Sequence, residues 1–358
     1  MSCSKPNNTL PLRERHGYDG VMRSSQARVR VARVHADTGR SHRADTLAVE
    51  EPLEIRVNGT RLAVTMRTPV HDFSLAVGFA LSEGIINSAE DVFRVRYCQK
   101  DQGPKGLNPH TQAQPHDSAD GNGLASELAP PLGLGAFSGT ESALQNTSDN
   151  VVDITLAPHV VPPSAAVQRQ LVVNSSCGLC GRQSLDEVHQ NGCYPIDERS
   201  NFRLDEPTVM GLPDQLSEDQ KVFAKTGGLH GAGLYDVETG RMLVVREDVG
   251  RHNAVDKVLG WALMEGLLPL SDKVLVTSSR ASFELVQKAA MAGVPMLVAV
   301  SAPSSLAVEL AKESSMTLVG FTRGHRCVIY AGEERIVPPA ADGASGSMDA
   351  SDDAANSA

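Results

Sequence analysis

Asn174-Ser175-Ser176-Cys177-Gly178-Leu179-Cys180-Gly181-Arg182 sets two thiols with two residues between them and a glycine directly after each. The thiolate is the reactive form of cysteine, and Arg182 or any helix N-terminus starting here would favour it. The glycines let the chain turn without a side chain blocking approach. Four chemistries are open at this spacing: a dithiol–disulfide relay, a persulfide carrier, half of a zinc site, or inert buried thiols. Cys177, Cys180, His189 and Cys193 are the ligand types of a closed structural zinc site. A thioredoxin-type relay would open a helix in a βαβ context that the surroundings do not supply. A glycine directly after each cysteine argues for access and against simple packing, so reactive sulfur chemistry fits these residues best.

Four further segments carry polar chemistry. Thr226-Gly227-Gly228-Leu229-His230 presents a histidine after two glycines, and beside a reactive cysteine His230 could lower a thiol pKa or take up a proton. Arg246-Glu247-Asp248-Val249-Gly250-Arg251-His252-Asn253 packs five ionisable residues ahead of an amphipathic helix, either as an anion site at a helix N-terminus or as a capping network. Thr277-Ser278-Ser279-Arg280 offers hydroxyls, backbone NH groups and a guanidinium to a phosphate. Phe321-Thr322-Arg323-Gly324-His325-Arg326 sets two arginines about a glycine, next to a ring able to stack on a base. The last two suit a nucleotide-bearing ligand. Neither matches a Walker P-loop or a GxGxxG fingerprint, and a solvated basic loop is the plain alternative.

These segments need a scaffold to position them. Leu53, Ile55 and Val57 alternate up to Asn58-Gly59, and Leu62, Val64 and Met66 alternate after it, which predicts a two-residue hairpin. Phe73, Ala76, Val77, Ala80 and Leu81 predict a helix capped by Asp72 and stopped by Gly84. Strands are expected at 92–97 and 151–156, flanking a Gly/Pro/Ser/Asn/Gln-rich stretch that reads as an insertion at a hairpin tip. After a hairpin (233–236, then 242–245), strand 273–277, helix 283–292, strand 296–300, helix 305–313 and strand 317–321 spell a βαβαβ unit with parallel neighbours. Ligands of such sheets sit where strands end and helices begin. The organisation expected is an arm without fixed structure over 1–45 and an N-terminal α+β block over 46–170 containing a disordered insertion at 101–149. An α/β domain follows over 171–337, carrying the CxxC and the 321–326 segment, and then a disordered acidic tail over 338–358.

Composition narrows the classes. The 358 residues suffice for about two domains. With 41% hydrophobic residues but only Phe 8, Tyr 5 and Trp 1, the core must be aliphatic. A net charge of −10 lacks the footprint of a nucleic-acid binder, so any phosphate must be held by a local basic pocket. No apolar run of about 18 residues predicts a membrane span, and no secretory signal is expected. Six cysteines, two of them as CxxC, suit a reducing compartment, and a cytoplasmic location is expected.

NSSCGLCG, TGGLHGA, REDVGRHNAVDK, SFELVQKAAMAGVP, SAPSSLAVELA and GFTRGHR, in this order, resemble the formate dehydrogenase accessory sulfurtransferase family across roughly residues 46–100 and 150–337. The resemblance implies an α/β fold with a cytidine-deaminase-like mixed sheet and helices on both faces, plus a smaller N-terminal β-hairpin/helix block. It also implies a cytoplasmic homodimer. A cysteine desulfurase would load sulfur onto the CxxC as a persulfide. The sulfur would then pass to the molybdenum bis-guanine-dinucleotide cofactor, cargo destined for formate dehydrogenase, with no structural metal in the carrier. Cys177 matches the persulfide position, Cys180 would assist transfer or resolve the persulfide, and Phe321, Thr322, Arg323, Gly324, His325 and Arg326 match the cofactor-binding stretch. The alternative is a chaperone that binds and delivers the cofactor without moving sulfur; a zinc-stabilised adaptor is the third reading. The insertion, the arm, the tail, His189 and Cys193 lie outside the resemblance. No PCxxC follows His230 to complete a deaminase zinc site.

Overall fold

The computed structural model describes residues 24–98, 150–163, 194–199 and 201–339. Its first sheet has four strands: β3 (Glu51–Val57), β4 (Thr60–Arg67), β5 (Val92–Tyr97) and β6 (Val151–Leu156), in the order β4-β3-β6-β5. Asn58 and Gly59 turn β3 into β4 with φ of 49° and 78°, the left-handed pair a tight two-residue hairpin demands. β5 and β6 pair antiparallel, and Cys98 N donates to Val151 O at 2.9 Å, so the described residues on either side of the 101–149 insertion stand side by side at the strand tips. The insertion itself lies outside the described residues.

Helix α1 (Asp72–Ser82) covers this sheet. Its N-cap is His71, in the left-handed conformation, and not the expected Asp72. Asp72 is instead the first helical residue, where its carboxylate takes a bidentate hydrogen-bond pair from Arg67 at 2.8 and 3.0 Å. Gly84 follows the helix with φ of 64°.

The larger sheet has six strands in the order β13-β12-β11-β10-β8-β9. These are β8 (His230–Asp236), β9 (Arg241–Asp248), β10 (Lys273–Thr277), β11 (Met296–Ala299), β12 (Thr317–Arg323) and β13 (Arg326–Ala331). β10, β11 and β12 are parallel, as the βαβαβ pattern predicts, while β13, β8 and β9 add antiparallel flanks. Helices α2 (Glu206–Glu218), α4 (Arg251–Met264), α5 (Phe283–Met291) and α6 (Ser305–Glu313) cover the sheet, with the short α3 (Phe223–Thr226) between α2 and β8. The strand period of two divides the core. Val274, Val276, Met296, Val298 and Val319 face α2, whereas Leu275, Leu297, Ala299 and Leu318 face the side of α4, α5 and α6. The result is a mixed α/β fold with helices on both faces of the main sheet. A two-stranded parallel pair, β7 (Leu204–Asp205) with β14 (Ile336–Val337), closes the α2 side.

Helix α4 lies between the main sheet and α1, and the two helices touch backbone to backbone. A Cβ on Gly78 would sit 1.8 Å from the Asp256 carbonyl oxygen, and one on Gly260 would sit 1.9 Å from that of Ser74. Only glycine fits there. Around the crossing the seam is charged and buried. Asp256 receives Lys288 Nζ at 2.9 Å on each carboxylate oxygen and the Ser82 hydroxyl at 2.8 Å. Lys257 Nζ meets Asp248 at 2.6 Å, the Thr68 carbonyl at 2.8 Å and the Glu247 carbonyl at 3.2 Å, which uses all three of its donors. Asp248 also accepts from the backbone NH groups of Thr68 and Gly250 and from Asn253.

A further expectation fails at the N-terminal end of the described residues. In place of an arm without fixed structure up to residue 45, β1 (Gln26–His35) and β2 (Gly39–Ala48) form an antiparallel ribbon in continuous register. The alternating Arg-Val-Arg-Val run has strand period but almost no buried face, which is why it reads as a solvated arm. Residues 1–23 and the tail from 340 lie outside the described residues.

Candidate functional site

Among the described residues, the predicted site segments converge on one rim, the carboxyl edge of β10, β11 and β12, and backbone hydrogen bonds join them. Phe321 N donates to Ser301 O (3.2 Å), Ser301 N to Ser279 O (3.4 Å) and Ser278 N to Gly231 O (3.0 Å). Gly231 follows His230, which pairs across β8–β9 with Asp248. Helices α4, α5 and α6 all start on this edge, so three positive helix ends face it.

Phe321–Arg326 is not a loop after the third strand. Phe321 to Arg323 complete β12, Arg326 opens β13, and Arg323 and Arg326 are register partners about Gly324 (φ 59°). A register shift between Gly320 and Arg323 forms a bulge in which Phe321 takes φ of 51°. That conformation is costly for an aromatic residue, and bulges commonly re-aim a side chain. Here the ring is turned outward and is 44% exposed. Arg323, His325 and Arg326 are exposed beside it. Thr322 is fully buried, and its hydroxyl has no hydrogen-bond partner. The hairpin can therefore offer a flat ring and two guanidiniums to a base and phosphates.

Thr277–Arg280 behaves differently from its reading as a phosphate cradle. Ser278 Oγ accepts from Gly231 N at 2.9 Å, and the buried Ser279 hydroxyl bonds Thr277 Oγ1 and the Arg280 carbonyl, each at 3.0 Å. These hydroxyls hold the turn together. Arg280, exposed at the rim, is the group left for an anion.

The 246–253 segment splits in two. Glu247 caps α3 by accepting from Val222 N (2.9 Å) and Phe223 N (2.6 Å), while Asp248 and Asn253 belong to the buried seam. The capping reading holds for Glu247 alone, and on α3; α4 has no side-chain cap, and Asp248 is a buried ion-pair partner. Arg251 and His252, in the first turn of α4, face the rim, and the buried Nε of Arg251 has no hydrogen-bond partner. His252 Nε2 lies 3.4 Å from Ser282 Oγ and 3.7 Å from Glu284. Burial alone would raise the Glu284 carboxyl, but hydrogen bonds from His252, its own backbone NH and Ser282 overcome this and hold it at about 2. His230 is half-buried, and its pKa is lowered by burial first and then by Arg251 and His252. Its ring is neutral at pH 7 and can accept a proton.

Cys177 and Cys180, with His189 and Cys193, lie outside the described residues. The described cysteines do not compete for their role: burial, with Asp153 beside Cys98 and Glu206 beside Cys327, pushes both thiols up and keeps them protonated. Among the described residues no group of three or more His, Cys, Asp or Glu could hold a metal ion. No helix among them is long and apolar enough to cross a membrane. The His252–Ser282–Glu284 cluster was missed by sequence reasoning, since Glu284 falls inside an ordinary amphipathic helix. Its one available signal was Ser282-x-Glu284 opening that helix on a strand end.

Fold and rim together define a mixed α/β protein whose main sheet carries, at its carboxyl edge, an outward aromatic ring among arginines. Residues 48–337 match the FdhD/NarQ family, and the chain belongs to that family. A sulfur carrier protein FdhD from Streptomyces avermitilis is 48% identical over 301 residues, covering 84% of this chain and 92% of that one. Its namesake from Mycobacterium tuberculosis is 47% identical over 295 residues, covering 82% and 92%. In fold, the chain is similar to a crystal structure from Desulfotalea psychrophila assigned as a formate dehydrogenase accessory protein. That match has a TM-score of 0.59 and 22% identity, and covers 88% of this chain and all of the other.

Proposed function

We propose that this chain is a sulfur carrier in the maturation of formate dehydrogenase, working in the cytoplasm as a homodimer. Cys177 receives sulfur from the persulfide of a cysteine desulfurase: its thiolate attacks the terminal sulfur, the donor S–S bond breaks, and the donor cysteine leaves as a thiolate. No net oxidation occurs in that step. Delivery as sulfide needs two electrons, and Cys180 can supply them. Its thiolate attacks the Cys177 sulfur, a Cys177–Cys180 disulfide forms, and hydrosulfide is released as a soft ligand for molybdenum. The acceptor is the molybdenum bis-guanine-dinucleotide cofactor, held as cargo at Phe321–Arg326 before it enters formate dehydrogenase.

The observation that carries the cargo assignment is the outward turn of Phe321 in its bulge, with Arg323 and Arg326 beside it on the rim shared by three helix N-termini. A guanine can stack on the ring, and phosphates can meet the guanidiniums and helix ends. His230 and the His252–Glu284 pair stand on the same rim and could take a proton from an incoming thiol or return one to a leaving thiolate. Sulfur carriage itself is supported by the relatives that bear that name.

The test is intact-mass spectrometry after incubation with a cysteine desulfurase and cysteine. A reducible gain of about one sulfur, about 32 Da, that is present in Cys180→Ala and absent in Cys177→Ala is the expected result. No gain on any form, with a competent desulfurase, would leave the cofactor chaperone without sulfur transfer as the better reading.

A further inference from the structure

The β1–β2 ribbon is the least supported part of the described chain. Each strand has ten residues, about 33 Å at roughly 3.3 Å per residue. β2 packs against α3 near its end, yet every residue from 32 to 44 is exposed, and Val29, Val34 and Leu47 are 42%, 72% and 44% exposed. A lone two-stranded ribbon is marginal in water, and its long bare edges invite pairing. Ten residues of continuous register are better explained by a surface that covers them.

The register shows what that surface should look like. One face of the ribbon carries Gln26, Arg28, Arg30, Ala32 and Val34 opposite Ala48, Thr46, Ala44, His42 and Arg40, with no carboxylate among them. The two aspartates of the ribbon are elsewhere: Asp37 is in the turn, and Asp45 is on the other face, paired with Arg33 at 3.5 Å. The basic face therefore lies on a chain whose net charge is −10.

The complementary surface is on the same chain. Helix α2 buries Val209, Leu212 and Leu216, and at about 100° per residue Asp214 and Glu218 fall on its opposite side, with Glu206 on the flank. All three are exposed, as is Asp219 at the C-cap, and no lysine or arginine occurs from Leu204 to Gln220. Both surfaces are bare in a single copy, so the ribbon does not lie on its own α2. Two copies related by a two-fold axis could each lend a ribbon to the other and cover both at once.

We propose that the β1–β2 ribbon is an inter-subunit arm whose Arg28/Arg30/Arg40 face docks on the acidic stripe of α2 in a second copy of this chain. The choice of occupant rests on the homodimer proposed above, and the assignment of the contact goes beyond it.

Sedimentation velocity on the full chain tests the arm. The unaltered protein should sediment at twice the 38.0 kDa of one chain and dissociate as salt is raised, because the contact is largely ionic. Arg28→Glu/Arg30→Glu/Arg40→Glu should sediment as a single chain with its circular dichroism and melting curve unchanged. Adding Asp214→Lys/Glu218→Lys to that variant should restore the dimer. A triple variant that stays dimeric would overturn the arm while leaving the homodimer standing. Failure of the added lysines to restore the dimer would overturn α2 as its seat. An unaltered protein that is monomeric throughout would overturn both the arm and the homodimer.

Discussion

The seam between α1 and α4 and the rim at the carboxyl edge are built from overlapping stretches of sequence and follow opposite rules. In the seam, charge is buried and every polar partner is matched: Lys257, Asp248, Asp256 and Lys288 are each at most 2% exposed and held by specific partners. At the rim, charge is left open: Arg280, Arg323 and Arg326 are exposed, and a buried Arg251 Nε and Thr322 hydroxyl have no partner. A buried charge that is paired belongs to the fold. An exposed one that shares an edge with helix N-termini and an outward aromatic ring is available to a ligand.

The largest expected effect lies in the seam. Lys257→Met leaves the Asp248 carboxylate buried without its cation, and a loss of about 3–5 kcal/mol is expected from urea unfolding. Gly260→Ala forces α4 away from the Ser74 carbonyl and should cost about 3 kcal/mol, measured in the same way. A normal unfolding midpoint in either variant would contradict the account of the seam. The rim should respond in the opposite sense. Phe321→Ala should keep stability within about 0.5 kcal/mol while weakening guanine-nucleotide binding about ten-fold, since ring stacking is worth roughly 1–3 kcal/mol.

The smallest expected effect tests the rim's own electrostatics. Glu284 titrates at about 2 in the folded chain against an ordinary 4.5, so it binds its proton less readily folded than unfolded. Its contribution is fully present above pH 4.5 and is lost as pH falls from there toward 2. Because the group is partly open to solvent, about 1 kcal/mol is the expected scale. The stability gap between the unaltered protein and Glu284→Gln should narrow across that window. A gap that stays constant from pH 5 to pH 2 would remove the His252–Glu284 interaction from the account.

Much of the scaffold was legible because it follows local rules. Asn58-Gly59 announces its hairpin, and the alternation of Val274, Leu275 and Val276 follows from a strand buried on both faces by helices. The seam was not legible. Asp72 reads locally as a cap, but Arg67 draws it into a buried pair, and Asp248 meets Thr68, 180 positions away. The acids of 246–253 carry no mark separating a brace from a site until the chain closes around them. The ribbon was hidden for the opposite reason, because strand period without a buried face resembles a solvated arm. At the rim, residue types at 321–326 pointed to a nucleotide, but the bulge that turns Phe321 outward depends on pairing with β13, a strand that the sequence reading did not include.

Calorimetric titration with guanosine diphosphate tests most directly the claim that the rim holds the cargo while the seam holds the fold. The unaltered protein and Ser82→Ala, a seam change, should bind alike, whereas Arg323→Ala/Arg326→Ala should bind at least ten-fold more weakly with an unchanged melting curve. Equal binding by the rim variant, or weakened binding by the seam variant alone, would contradict it.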